Sequence, residues 1–169
     1  MTGIPFSSDT YVLNQDRAEG GVRLEPISAQ AARELGLIFS SIDPWKKVDW
    51  PAERLEAFLA GKALDASRYL IRHGDELAGA VAISSPWLHG AYLHFLGIVP
   101  GKQNTGIGTL VMDWFETEAG STYRNLWICV SDFNHRAARF YEARGYTRAA
   151  ILENLIVEGE DEILLRKRL

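Results

Sequence analysis

Leu96-Gly97-Ile98-Val99-Pro100-Gly101-Lys102-Gln103-Asn104-Thr105-Gly106-Ile107-Gly108 reads as the end of a strand, a glycine-bearing loop and the start of a helix. Leu96 to Val99 is apolar apart from Gly97, and Pro100 stops it, because proline cannot donate to a sheet ladder. Beyond the loop, Ile107, Leu110, Val111, Trp114 and Phe115 recur at the i, i+3, i+4, i+7, i+8 spacing of an amphipathic helix. Such a loop presents backbone N–H groups at a helix N-terminus, where the macrodipole favours an anion. Gly106 and Gly108 carry no side chain, so a phosphate can approach the backbone closely. The stretch therefore fits a pyrophosphate cradle; a tight strand-to-helix turn without a ligand is the plainer alternative. The Walker pattern fails, since no Gly-Lys-Ser/Thr follows. The dinucleotide fingerprint fails too, since Val111 stands where a third glycine or an alanine is required. What remains is Gln-x-x-Gly-x-Gly, from Gln103 to Gly108.

Reading outward from the loop gives a regular order of elements. Upstream, Gly90 to Val99 is a strand, preceded by a hairpin of Ser67 to Arg72 and Leu77 to Ile83 around Gly74-Asp75. Before that, Ser28 caps a helix over residues 29–39, with Ala31, Leu35 and Ile38 on one face. Pro51 suits the first turn of a second helix bearing Leu55, Phe58 and Leu59 and ended by Gly61. Val22 to Ile27 opens the series as a strand, and residues 1–20 read as an irregular leader before a single domain over residues 21–169. Downstream come a strand at Asn125 to Ser131, a short helix at Asn134 to Arg144 with Gly145 past its end, and strands at Tyr146 to Val157 and Glu162 to Arg168. This order predicts an α/β fold, a mixed sheet with helices on both faces.

Composition bounds the function without supplying it. The chain has 169 residues, 47% hydrophobic and 24% charged, which suits one globular domain and excludes a disordered or fibrous chain. A net charge of −4 argues against a general nucleic-acid-binding surface. One cysteine, Cys129, rules out an intrachain disulfide framework and suits a reducing compartment. No run approaches ~18 apolar residues, and the N-terminus lacks a secretory pattern. The expectation is a cytoplasmic protein with no membrane partner. His73, His89 and His135 show no metal-ligand spacing, so no metal is expected.

Two separated motifs carry a resemblance. Pro100 followed three residues later by Gln103 and Gln-x-x-Gly-x-Gly resembles the acetyl-CoA loop of the GNAT acetyltransferase superfamily. Trp127 to Ser131, then Asn134, Ala137-Ala138, Phe140-Tyr141 and Gly145-Tyr146, resemble that family's later strand, asparagine, short helix and glycine-aromatic exit. The likeness covers the chain from residue 22 onward. It implies a GNAT-like, mainly antiparallel sheet and an acetyl-CoA-dependent N-acetyltransferase acting directly on a primary amine of a small molecule or peptide. By the same resemblance, backbone groups of Leu96, Gly97 and Ile98 bind the pantetheine arm. Gln103, Asn104, Thr105, Gly106, Ile107 and Gly108 hold the pyrophosphate, with Lys102 the nearby cation on the loop. Asn134 holds the cofactor arm or serves as a helix N-cap, or both. Tyr141, seven residues on and on the same helix face, is implied as the acid that protonates the CoA thiolate. A CoA-binding sensor or interaction module without turnover is the alternative, and a nucleotide-binding enzyme using the same loop is a second.

The proton acceptor is less plain. Some members that modify ribosomal proteins carry a strand glutamate five residues before the asparagine; here that position is Cys129, which makes a ribosomal protein N-terminus a less favoured acceptor. Cys129 itself reads as an inert buried thiol rather than a nucleophile, since the sequence shows no cation to lower its pKa. His94 is the candidate base, on a strand face predicted to carry Tyr92, His94, Leu96 and Ile98 together; a structural histidine in the sheet is the alternative. Trp45 and Trp50 offer flat apolar surface beside an acceptor. Glu158, Glu160, Asp161 and Glu162 would attract a cationic amine if they flanked the same cleft, but a solvated acidic turn is the preferred reading. The C-terminal strands could also support a homodimer.

Overall fold

The computed structural model describes residues 4–14, 20–61 and 66–169. Among these, eight strands form one sheet in the order β1-β2-β3-β4-β5-β6-β8-β7, with four helices. The strands are β1 (Tyr11–Asn14), β2 (Val22–Glu25), β3 (Ser67–His73), β4 (Glu76–Trp87), β5 (Gly90–Ile98), β6 (Asn125–Ser131), β7 (Thr147–Val157) and β8 (Glu160–Arg168). The helices are α1 (Ala29–Ser40), α2 (Ala52–Leu59), α3 (Ile107–Gly120) and α4 (His135–Ala143). Every neighbouring pair is antiparallel except β5–β6, which is parallel and is joined through α3. None of the described helices is long and apolar enough to cross a membrane.

Local chemistry accounts for the helix ends. Ser28 accepts the Ala31 N–H at 3.1 Å and starts α1. Pro51 stands at the N-cap of α2, and Asn134 caps α4 by accepting the Ala137 N–H at 3.2 Å. Apolar stripes then dock the helices on opposite faces of the sheet. Leu35, Phe39, Leu55, Phe58 and Leu59 of α1 and α2 pack on Leu70, Ala80, Ala82 and Phe95. Ile107, Val111, Met112 and Phe115 of α3, with Tyr141 of α4, pack on Ile71, Val81, Leu93, Ile128 and Ile163.

Two departures from the sequence reading matter. The leader is not wholly irregular: β1 pairs with β2, and Phe6 is buried against Trp114 and Phe115. Four residues with no sustained alternation give too weak a strand signal to stand out, and the sheet edge supplies the pairing. The segments 1–3 and 15–19 of that leader lie outside the described residues.

The second departure is in β5. Ala82 pairs with Phe95 but Ile83 pairs with Leu93, so His94 is an extra residue in the ladder, a β-bulge. The bulge resets the two-residue alternation. Leu93, Leu96 and Ile98 face the α3 side, whereas Phe95 faces α1 and α2. His94 stacks on Phe58 of α2 and meets Tyr92 edge-on. The predicted shared face of Tyr92, His94, Leu96 and Ile98 is therefore wrong: the first two lie on one side of the sheet and the last two on the other.

β4 and β5 approach closely at the far end of their ladder, where Gly79 pairs with Ile98. A Cβ built on Gly79 would lie 2.1 Å from the Gly97 carbonyl oxygen. Backbone cannot yield as a flexible side chain would, so Gly79→Ala must force the two strands apart. We expect a loss of about 1–3 kcal/mol of stability, the usual range for an overpacked interior. Thermal or urea unfolding of the variant beside the parent checks it.

Candidate active site

The parallel β5–β6 pairing covers only Gly90 to Leu93 and Asn125 to Ile128. Past Leu93, beginning at the bulge, the two strands part. β5 keeps its ladder to β4 as far as Ile98, so among the described residues its other edge has no strand partner from His94 onward. Backbone N–H and C=O groups on that edge need partners from elsewhere. One is supplied internally: Gln103 Nε2 donates to the Ile98 carbonyl at 3.1 Å, tying the loop back to the strand end.

The parting opens a passage through the sheet, with a chamber on each side. The first, about 550 Å³, is lined on the strand side by Leu96, Gly97 and Ile98 and on the loop side by Gln103, Asn104, Gly106 and Gly108. The second, about 400 Å³, holds Trp45, Trp50, Phe58, Tyr92, His94 and Glu162 among its walls. Pro44, Trp45, Leu96, Asn134, Ala137 and Tyr141 belong to both linings and mark where the chambers meet.

The loop wall of the first chamber presents a helix N-terminus and side-chain-free backbone. Gly106, at φ +84°, is the N-cap of α3 and provides no side-chain cap, which leaves first-turn N–H groups without one. A Cβ at Gly106 would meet nothing within 4 Å, and one at Gly108 only Phe140 at 3.9 Å, so both backbones border open space. A fourteen-residue helix thus points its positive end at the cleft. Lys102 is engaged by Glu76. Arg136, in the first turn of α4, instead reaches across the cleft, donating to Asn104 Oδ1 at 2.6 Å and to Gln103 Oε1 at 3.2 Å. Sequence reading missed Arg136 because it is thirty-two residues from Asn104 and joins the loop only when α3 and α4 pack side by side.

The remaining loop positions divide by what they expose. Thr105 turns its hydroxyl to the Lys102 carbonyl at 2.6 Å, and Ile107 buries its side chain in the core, so each has only backbone to offer. Asn134 uses Oδ1 for the helix cap; its amide nitrogen remains a donor at the cleft. Tyr141 lies where the chambers meet, 8% exposed, and burial raises its phenol pKa, so it stays protonated.

The second chamber is largely aromatic. Trp45 stacks on Phe95 at 4.8 Å and 25°, and His94 on Phe58 at 5.1 Å and 26°. Burial, then the Arg68 charge, lowers the His94 pKa, so the imidazole is neutral near pH 7. Burial and the neighbouring Glu162 push the Cys129 thiol up to about 12, which leaves it a thiol and a poor nucleophile.

The acidic turn is not uniformly solvated. Glu160 pairs with Lys47 at 3.0 Å, which ties the β7–β8 turn to the segment between α1 and α2. Glu162 belongs to β8, is 4% exposed and accepts a 2.6 Å hydrogen bond from Ser131 Oγ. Its grouping with Glu158, Glu160 and Asp161 as one acidic turn hid it; alternation with Leu164, across β8 from Ile163 and Leu165, was the available signal. Among the described residues no three His, Cys, Asp or Glu side chains gather as a metal site.

Comparison with known proteins agrees with this geometry. The Acetyltransferase (GNAT) family model matches residues 35–146. An acetyltransferase from Thermus thermophilus superimposes with a TM-score of 0.69 at 20% identity, covering 88% of this chain and 97% of that one. The microcin C7 self-immunity acetyltransferase MccE, solved with acetyl-CoA and AMP, gives 0.70 at 18% identity, covering 99% of this chain and 100% of that one. RimL, a ribosomal L7/L12 α-N-protein acetyltransferase solved without ligand, gives 0.72 at 17% identity and 95% coverage of each chain. At such identities the likeness is one of fold. No curated protein matches the sequence. The family match spans the glycine loop and the Asn134–Tyr141 helix that together wall the first chamber, and the chain belongs to the GNAT acetyltransferase family.

Proposed function

We propose that the protein binds acetyl-CoA in the first chamber and transfers its acetyl group directly to a primary amine held in the second. The observation that carries this reading is the passage between β5 and β6, with a chamber walled by the glycine loop and the α3 N-terminus on one side and an aromatic one on the other. A thioester carbon held in the passage meets an amine from the opposite face of the sheet, and holding two reactants so lowers the entropic barrier. The acetyl-CoA in the MccE structure supports the choice of donor.

Each predicted residue has a place in that reading. The free edge of β5 at Leu96, Gly97 and Ile98 receives the pantetheine amides as an added strand would, through backbone. N–H groups from Gln103 to Gly108 and the α3 N-terminus hold the pyrophosphate, and Arg136 supplies the positive charge. The Asn134 amide nitrogen steadies the arm. Tyr141 donates its proton to the departing sulfur; a buried phenol does so without ionising beforehand. His94, a neutral imidazole in the aromatic chamber, hydrogen-bonds the incoming amine.

The acceptor chamber favours an amine on a flat, apolar body. Trp45, Trp50, Phe58 and Tyr92 offer ring faces to the body, and the buried Glu162 carboxylate attracts the ammonium. A CoA-binding module without turnover would need neither the second chamber nor Tyr141 where the chambers meet.

Three measurements test the reading. CoA release from acetyl-CoA should depend on amine in a panel of 2-phenylethylamine, tryptamine, spermidine and a short peptide with a free N-terminus, with the two aryl amines fastest. Failure of every amine to release CoA identifies a binding module. Tyr141→Phe should lower kcat by about 10²-fold or more, the usual scale of general acid catalysis, while calorimetry finds acetyl-CoA affinity within twofold of the parent. Unchanged kcat removes Tyr141 from the mechanism. Arg136→Gln should weaken acetyl-CoA binding by about 10-fold or more, from loss of a charge-assisted contact worth ~1.5–3 kcal/mol. Lys102→Ala should weaken it far less, because Glu76 already engages that lysine.

A further inference from the structure

Cys129 faces the second chamber from β6, two residues before Ser131. Alternation along β6 puts Cys129 and Ser131 on one face, since Ile128 and Val130 turn to the α3 core. In the β6–β8 register Ser131 pairs with Glu162 and Cys129 with Leu164. Glu162 is thus the diagonal cross-strand neighbour of Cys129 and presents a carboxylate on the same face of the sheet. Its Oε1 is held by Ser131 Oγ at 2.6 Å.

We infer that Glu162, rather than any residue of β6, receives the proton of the acceptor amine. This inference rests on the acetyl-transfer reading. Glu162 shares the chamber with Tyr92 and His94 of β5, Cys129 and Ser131 of β6, Tyr141 of α4 and Arg54 of α2, while Lys47 and Glu160 pair near the β7–β8 turn. Cys129, Tyr92 and Tyr141 are all held protonated by burial, and His94 is a weakened base. Burial raises the Glu162 pKa against the lowering effect of its Ser131 and Cys129 hydrogen bonds, which makes it a stronger base than an exposed glutamate.

Protons balance across the step. The acceptor enters as an ammonium and loses one proton to Glu162, which passes it to water. The nitrogen lone pair forms the new C–N bond and the thioester C–S bond breaks. Tyr141 protonates the sulfur and is restored by the second proton that leaves nitrogen. The products are the amide, free CoA and one proton.

The test uses the full chain with acetyl-CoA and the fastest amine of the panel above. Because Glu162 must be ionised to accept a proton, wild-type kcat/KM should fall as pH drops through its raised pKa. Glu162→Gln should lower kcat/KM by about 10²–10³-fold and remove this acid limb, with acetyl-CoA affinity within twofold of wild type. His94→Gln should keep the limb. Glu162→Gln activity within threefold of wild type, or a limb that persists in Glu162→Gln or vanishes in His94→Gln, overturns the inference. If Glu162→Gln loses acetyl-CoA binding through misfolding, Ser131→Ala decides. Removing a donor to the carboxylate raises its pKa, so the limb should move to higher pH; an unmoved limb overturns the inference. A wild type inactive toward every amine overturns the transfer reading and this inference together, and shows in the wild type alone.

Discussion

A β-strand that leaves its neighbour must find other partners for the backbone groups it exposes, and in this protein that requirement falls on β5 from His94 to Ile98. The bulge at His94 twists the strand just where its parallel pairing ends, and the loop from Pro100 then carries the chain away to α3. The result is a sheet that is continuous at one end and open at the other. The residues proposed to act are arranged around that opening: the N-terminus of α3, the cap of α4, Tyr141, and the aromatic segment that begins at Trp45.

The opening also separates two solvents. On the α3 side the walls are backbone amides, a helix end and a guanidinium, which suit a polyanion. On the α1–α2 side many of the walls are rings, and His94, Cys129 and Glu162 among them are shifted toward neutrality. A net charge of −4 describes neither chamber, because a charge count omits the backbone N–H groups at the start of α3. Gly97 shows how tightly the two sides are linked: its missing side chain makes room for Phe39 and Trp45 on one face while its backbone borders the first chamber.

Locally encoded features were legible without coordinates. The Ser28 and Asn134 caps, the Pro51 helix start, the α3 stripe and the glycine loop each depend on residues a few positions apart, and each stands where its spacing placed it. The site positions that escaped all depend on distant pairing. Arg136 meets Asn104 through helix packing, and Glu162 meets Ser131 through strand register. The face assignment of Leu96 and Ile98 failed because a single inserted residue, His94, inverts a period of two, and nothing in its own side chain announces a bulge.

By itself, then, the order of residues determined the glycine loop, the family to which the chain belongs and every element except β1, since caps, turns and periodicity are short-range physics. Only the tertiary structure decided which carboxylate is buried beside the passage, which cation serves the loop and which face each β5 side chain takes. Those outcomes follow from strand register and helix docking, where residues tens of positions apart come within hydrogen-bonding distance, and spacing along the chain carries no record of them.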